Sequence, residues 1–207
     1  MRLKIENLAF GRRQAILNAA IREFATKGYA EASTNVIAKT SGISKALLFH
    51  YVNSKKDLFL YLYEYCTEMM EKEYLDMLNF EENDILARLR QSYLLQLKLM
   101  RKHPWIFDFI VMTGAAKSDE MKPELENRVN EKLALCQSTM FATVDESKFR
   151  EGLDIGKCKQ LIYWANIGFT NQILEEIRNS EAVELDYDSI LSELDGYLDE
   201  LRKIFYN

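Results

Sequence analysis

Residues 34–59 read TNVIAKTSGISKALLFHYVNSKKDLF, and this segment carries the clearest structural signal in the sequence. Apolar residues at 36–38 are followed by the pair Ser41-Gly42, which interrupts the pattern, and then by the apolar Ile43. This order predicts a helix, a tight turn, a second short helix and the start of a third. Such a layout is typical of a helix–turn–helix, whose second helix enters the major groove of DNA.

The rest of the chain is also predicted to be helical. Only two prolines and eight glycines occur in 207 residues, and sustained alternation of apolar and polar residues is absent. We predict an all-α fold preceded by a short arm over residues 1–10 that is open to fraying. Its helices are expected near 11–27, 34–40, 44–51, 54–78, 84–102, 105–113, 123–141, 157–179 and 188–206, about nine in all. The predicted N-caps are Ser33, Ser44 and Ser54.

Charge is distributed unevenly along the sequence. Residues 1–60 hold ten Lys or Arg and four Asp or Glu, a net charge of +6, whereas the remainder carries −11. A basic end on an acidic body favours a DNA-binding head joined to a domain with another role. A merely uneven surface charge is the alternative.

The three cysteines are Cys66, Cys136 and Cys158, with neither a disulfide framework nor a paired zinc spacing. They suit a reducing compartment as small core residues. Neither a signal peptide nor an apolar run of about 20 residues is present, so we expect a cytoplasmic protein without a membrane partner.

Side chains on the second helix of the motif are suited to DNA contact. Lys45 can donate to guanine, and Ala46 or Leu47 can contact a thymine methyl group. Thr34 lies where the backbone amides of a helix N-terminus favour a phosphate. Phe49 and Tyr51 are also compatible with packing roles. We predict that the DNA contacts are Arg12, Thr34, Ser44, Lys45, Ala46, Leu47, Phe49, His50, Tyr51 and Lys55.

Several short motifs follow one another in a specific order and spacing. They are Phe24…Lys27-Gly28-Tyr29, Ser33-Thr34, Ile37-Ala38, Ser41-Gly42-Ile43-Ser44, Leu48-Phe49-His50-Tyr51-Val52 and Ser54-Lys55…Leu58-Phe59. With this pattern, residues 12–60 resemble the N-terminal domain of the tetracycline-repressor (TetR) family of bacterial transcriptional regulators. Ala46 stands where glycine is common in that family, and Phe49 stands where tyrosine is common. The rest of the chain is similar only in length, helix content and acidity.

The resemblance implies two domains and a mode of action. Residues 1–54 would form the helix–turn–helix DNA-binding domain and residues 55–207 an effector-binding and dimerisation domain, with the helix over 54–78 as the link. The protein would be a homodimeric repressor on a palindromic operator, released by a small, largely apolar ligand. The candidate ligand residues are Tyr61, Tyr65, Tyr93, Trp105, Phe109, Met112, Trp164 and Phe169. The candidate dimer residues are Trp164, Ile167, Gly168, Asn171, Ile190, Leu194, Leu198 and Leu201. Every one of these also suits packing within one chain.

Other classes of function find less support in the sequence. Only two histidines occur, and we find no glycine-rich phosphate loop, HExxH motif or nucleophile elbow, so we expect neither an enzyme nor a cofactor or metal. Two alternatives stay open: a DNA-binding or adaptor protein without a ligand, and a redox-responsive regulator acting through Cys66.

Overall fold

The computed structural model describes residues 3–114, 138–179 and 186–207. Within these ranges residues 138–141 are helical, and we label that element α7. The other helices are α1 (Phe10–Glu31), α2 (Thr34–Thr40), α3 (Lys45–Val52), α4 (Lys55–Glu73), α5 (Ile85–Lys102), α6 (Ile106–Gly114), α8 (Ile155–Asn179) and α9 (Tyr187–Phe205). The predicted all-α fold of about nine helices is confirmed. Most of the predicted helix over 123–141 lies outside the described residues.

The chain divides into two compact units. Unit 1 comprises Met1–Asp76 and Leu99–Ala134, and unit 2 comprises Met77–Lys98 and Leu135–Asn207. The predicted boundary after residue 54 stays a prediction. In the described part of the chain, none of the helices combines the length and the apolar character that crossing a bilayer requires.

Unit 1 begins with an ordered arm rather than a fraying one. Residues Lys4–Asn7 form a 3₁₀ turn in which Ile5 is fully buried, and Leu3 is buried as well. The expectation of a frayed arm was therefore wrong, because two apolar side chains anchor the segment in the core. The turn packs against α3.

Helix α1 is kinked where the sequence predicted its end. Gly28 has φ +72°, a value that glycine adopts without steric cost, and the last residues of α1 continue beyond the kink. The kink directs Tyr29 inward, where its side chain is buried. The break at Gly28 thus turns the chain toward α2.

The core of unit 1 is aromatic. Phe24 of α1, Phe59 of α4 and Phe109 of α6 are each fully buried, and their ring centroids lie 5.0 to 6.5 Å apart. The rings meet at inclined angles, an arrangement that aromatic pairs favour. One cluster therefore holds α1, α4 and α6 together.

Helix α4 ends earlier than predicted. It stops at Glu73 rather than near residue 78, because Tyr74 leaves the helical conformation with φ −128° and ψ −65°. A 3₁₀ turn over Leu75–Met77 follows, and both Tyr74 and Leu78 are buried. Two apolar side chains that a straight helix would point along one face are thus accommodated by a bend.

Unit 2 contains a buried arginine that its backbone satisfies. Arg88 on α5 is fully buried, and its guanidinium donates to the carbonyls of Met140 (2.9 Å), Ala142 (2.7 Å), Phe80 (3.1 Å) and Glu82 (2.9 Å from Nε). Burial lowers the pKa of this guanidinium, yet an arginine stays charged in proteins. The side chain joins α5 to residues more than 50 positions away.

A second polar cluster ties the end of the chain to α5. The carboxylate of Asp84 caps α5 by accepting from the amide of Leu86 at 2.9 Å, and it also accepts from Arg202 (2.8 Å) and from the hydroxyl of Tyr206 (3.1 Å). Phe149 pairs with Tyr206 through an isolated antiparallel bridge. The C-terminal residues are therefore built into the core of unit 2.

Candidate nucleic-acid interface

The turn between α2 and α3 is held by backbone hydrogen bonds. Ile37 and Ala38 are buried on α2, and the amide of Ile43 donates to the carbonyl of Ala38 at 3.0 Å. Gly42 has φ +71°, the left-handed conformation that a side chain would disfavour. The sequence Ser41-Gly42-Ile43 thus sets the direction in which α3 leaves α2.

Helix α3 has a buried side and an open side. Its inner residues Leu48 and Val52 are buried, and the predicted cap is confirmed because the amide of Leu47 donates to Ser44 Oγ at 3.2 Å. The predicted DNA contacts occupy the rest of its surface. Ser44, Lys45, Ala46 and His50 are exposed, and Leu47, Phe49 and Tyr51 are half-buried.

The predicted contacts outside α3 lie at the starts of other helices. Arg12 is exposed in the first turn of α1, and Thr34 is half-buried at the start of α2. Ser33 occupies the predicted N-cap position of α2, but its side chain does not accept a hydrogen bond from the helix. Its amide instead donates to Glu23 Oε1 at 2.9 Å, because α1 brings this carboxylate to the same place. Ser54 caps α4 as predicted, accepting from the amide of Asp57 at 2.9 Å.

Lys55 has partners within its own unit. Its ammonium donates to the carbonyl of Ala30 at 2.9 Å and lies 5.0 Å from the centre of the Tyr29 ring. These contacts tie the start of α4 to the end of α1. A lysine ammonium carries three N–H donors, so a phosphate contact from Lys55 is compatible with this position.

Two features near the motif escaped the sequence reasoning. Val36, grouped by sequence with its apolar neighbours, is 45% exposed on α2, and Phe10 is exposed at the start of α1. The buried Ile5 of the arm was also missed, since four residues are too few to show a periodic pattern. A helical wheel of the seven-residue α2 would have placed Val36 opposite the buried side.

The predicted ligand residues are distributed over both units. Phe109 is fully buried in the aromatic core, and Trp105 lies 5.4 Å from the guanidinium of Arg22. In unit 2 the hydroxyl of Tyr93 donates to the carbonyl of Asn166 at 2.8 Å. The remaining candidates range from exposed to buried: Trp164 is exposed, Tyr61, Tyr65 and Met112 are half-buried, and Phe169 is buried against Tyr93.

The predicted dimer residues separate by helix. On α8, Trp164, Ile167, Gly168 and Asn171 are all exposed. On α9, Ile190, Leu194 and Leu198 are buried within the chain, and Leu201 is half-buried. Further apolar side chains are exposed on the same two helices, at Leu161 on α8 and at Tyr197 and Ile204 on α9. Both helices therefore carry apolar side chains that the described residues leave exposed.

Two features of the described residues concern metal binding and thiol chemistry. Among them, His, Cys, Asp and Glu side chains do not gather in groups of three that could hold a metal ion. Cys66 is fully buried, and burial raises the pKa of its thiol far above the usual range. Cys158 is buried with a raised pKa as well, mainly through desolvation, and Cys136 lies outside the described residues.

Comparison with known proteins agrees with this geometry. Residues 16–62 match the model of the bacterial regulatory proteins of the tetR family. The nucleoid occlusion factor SlmA of Marinobacter nauticus is 28% identical over 142 residues, 69% of this chain and 71% of that protein. SlmA of an Enterobacter species is 26% identical over 171 residues, 82% of this chain and 84% of that protein.

Solved structures share the fold over nearly the whole chain. A TetR family transcriptional regulator from Chloroflexus aurantiacus has a TM-score of 0.68 at 17% identity and covers 98% of this chain and 97% of its own. The ketosteroid transcriptional regulator KstR2 of Mycobacterium tuberculosis has a TM-score of 0.63 at 16% identity, with 97% of each chain covered. The chain therefore combines a helix–turn–helix with an N-terminal segment that matches the tetR family of bacterial regulatory proteins, and it shares the fold of TetR-family regulators over nearly its whole length.

Proposed function

We propose that the protein is a cytoplasmic, homodimeric repressor that binds a palindromic operator in double-stranded DNA. The observation that carries the proposal is α3, whose inner side is buried while Ser44, Lys45, Ala46 and His50 stay exposed. A helix fixed from one side and polar or small on the other suits insertion into a major groove. The basic balance of residues 1–60 supplies the attraction to phosphates.

The proposed contacts fall into two groups. Lys45 would donate to a guanine edge, while Ala46 and Leu47 would contact thymine methyl groups, because they lie in the first turn of α3. The other predicted residues would contact the phosphate backbone. Arg12, Thr34, Ser44, His50, Tyr51 and Lys55 would bind phosphates, and Phe49 would pack against the backbone without a hydrogen bond. Base contacts would set the sequence preference and phosphate contacts the salt dependence.

The apolar surface of α8 and α9 supports a homodimer. Leu161, Trp164, Gly168 and Asn171 recur at intervals of three or four residues on α8, which places them along one face. Across a two-fold axis such a face meets its own copy. Two linked helix–turn–helix motifs can then bind successive major grooves, which one small motif cannot do with useful affinity. We therefore assign the interface to the exposed residues, with Ile190, Leu194 and Leu198 supporting it from within.

Release by a small apolar ligand is part of the same proposal. Phe109 of α6 is packed between α1 and α4, so a ligand that displaces α6 would act directly on the helices that carry the motif. Such a ligand must bind the DNA-free arrangement more tightly, because otherwise the equilibrium does not shift. The candidates of unit 1 are Tyr61, Tyr65, Trp105, Phe109 and Met112. Tyr93, Trp164 and Phe169 are the candidates of unit 2.

A DNA-binding adaptor is the second candidate function. The relatives named nucleoid occlusion factor SlmA align over up to 82% of this chain, and that name describes a role other than the control of one gene. The redox alternative is weaker, because a thiol as deeply buried as that of Cys66 forms little thiolate.

Selection from a random duplex pool at moderate salt tests the proposal. Wild type and Lys45→Ala are compared, with Lys98→Ala as the matched control that removes one exposed positive charge from α5. We expect a palindrome to be enriched by wild type and Lys98→Ala, and to be lost or altered with Lys45→Ala. Failure of the wild type to enrich any sequence, also after refolding to remove a bound ligand, would refute the proposal. If copies of the enriched sequence are dispersed widely over the genome, the result would favour the adaptor.

A further inference from the structure

The N-terminal arm contacts the helix that the proposed function assigns to the major groove. Its 3₁₀ turn, Lys4–Asn7, packs against α3, and the amides of Glu6 and Leu8 donate to Leu3 and Ile5 carbonyls at 3.3 Å. Within this turn only Ile5 is fully buried. Because residues 3–7 lie far from α3 in sequence, this packing is a tertiary contact of the arm.

Helix α3 depends on such contacts for its conformation. It has eight residues, and an isolated helix of that length is unstable in water. Its stability therefore comes from the buried side, where Leu48 and Val52 are its two buried residues. Any apolar group that completes the packing on this side also determines how the opposite side is presented.

The arm also lies close to α4. Burial raises the pKa of the Tyr61 phenol on α4, while the nearby charge of Arg13 lowers it and that of Glu6 on the arm raises it. The side chains that anchor the arm are the buried Leu3 and Ile5.

We propose that residues 3–7 belong functionally to the DNA-binding domain and that Ile5 is a positioning residue, which fixes the orientation of α3. The expected change in DNA preference rests on the proposed function. The expected effect of Ile5 on α3 rests on the structure alone. Ile5 contacts no DNA in this scheme. It restricts the orientation of α3, so its loss reduces the discrimination between operator and unrelated DNA.

Hydrogen exchange and DNA binding together test this role. The variants are Ile5→Ala, the conservative Ile5→Val, and Ile85→Ala as a control, since Ile85 is an equally buried isoleucine in unit 2. We expect Ile5→Ala to speed amide exchange in residues 45–52 and to reduce the preference for the selected duplex over a scrambled one by about tenfold. Ile5→Val should restore most of both, and Ile85→Ala should change neither.

The outcomes separate this inference from the proposed function. Unchanged exchange over residues 45–52 in Ile5→Ala overturns the positioning role, whatever the DNA result. Should Ile5→Ala fail to fold, Ile5→Val decides. The loss of one methylene should still speed amide exchange slightly, and the increase should be larger in α3 than elsewhere in unit 1. A wild type that selects no DNA refutes the proposed function, while the exchange comparison still tests the role of Ile5.

Discussion

Replacing Trp164 with alanine should dissociate the proposed dimer. This indole is 56% exposed on α8, where Leu161 and Ile167, three residues before and after it, are also exposed. A large aromatic side chain left open to solvent is unfavourable unless a partner covers it, and tryptophan is among the residues that contribute most to interfaces. The expected effect is therefore large.

The exposed area of Trp164 gives the magnitude. A tryptophan side chain presents about 250 Å², so the 56% that is open corresponds to about 140 Å². At about 25 cal/mol per Å², covering this area stabilises the dimer by at most about 3.5 kcal/mol per copy. Two copies meet in one dimer, and allowing for incomplete coverage we expect a loss of about 4 kcal/mol, roughly a thousandfold in Kd.

Analytical ultracentrifugation over a range of concentrations measures this change. Leu94→Ala is the matched control, because Leu94 is also exposed but lies on α5. We expect wild type and Leu94→Ala to sediment as dimers under conditions where Trp164→Ala is monomeric, with unchanged helix content. A Trp164→Ala protein that dimerises as tightly as wild type would show that this face is not the interface.

Three further predictions concern the core and its pH dependence. Phe109→Ala should lower the free energy of unfolding by about 3–5 kcal/mol, because it empties the aromatic core of unit 1; a loss below about 1 kcal/mol in urea denaturation would contradict this packing. Arg88→Met should lower the free energy of unfolding by about 3 kcal/mol, since it leaves the buried carbonyl of Met140 and the part-buried carbonyl of Ala142 without this donor; near-wild-type stability would mean that water satisfies them. Burial alone would raise the pKa of Asp84, but hydrogen bonds from Arg202 and from the amides of Ala87 and Leu86 outweigh it, so the net pKa is lowered. Its stabilisation is therefore complete above the unfolded pKa of about 3.9 and is lost as the pH falls through the folded value. Asp84→Asn should be less stable than wild type at neutral pH and should lose less stability in acid, and parallel pH profiles of the two proteins would refute this.

The DNA-binding domain could be predicted from sequence because its determinants are local. The turn needs a residue that tolerates positive φ at one position, and Gly42 supplies it between two short apolar segments. The cap of α3 is likewise local, since Ser44 lies three residues before Leu47, from whose amide its hydroxyl accepts a hydrogen bond. Features encoded within a few residues of each other are visible in one sequence.

The remaining features depend on contacts between distant residues. Arg88 lies on an amphipathic helix, where a charged side chain is expected on the solvent side. It is buried instead, and its guanidinium donates to the carbonyls of Met140 and Ala142, more than 50 residues away. The family resemblance placed Ile190 and Leu194 in a dimer interface, and both are buried within one chain. Periodicity shows that a stripe is covered without showing which chain covers it. The packing of the predicted arm was missed for the same reason, because its partner α3 is about 40 residues away.

The contacts of Lys55 connect the aromatic core to the DNA-binding motif. Phe109 of α6 touches Phe59, the Phe59 ring lies 5.1 Å from that of Tyr29, and Tyr29 lies beneath the ammonium of Lys55. Lys55 is only three residues beyond Val52, the last residue of α3. A displacement of α6 therefore has a continuous, close-packed route to the end of α3, and close-packed cores transmit strain. For this reason Lys55 has two roles in the proposed mechanism, one as a phosphate contact and one as the link that makes DNA binding sensitive to α6.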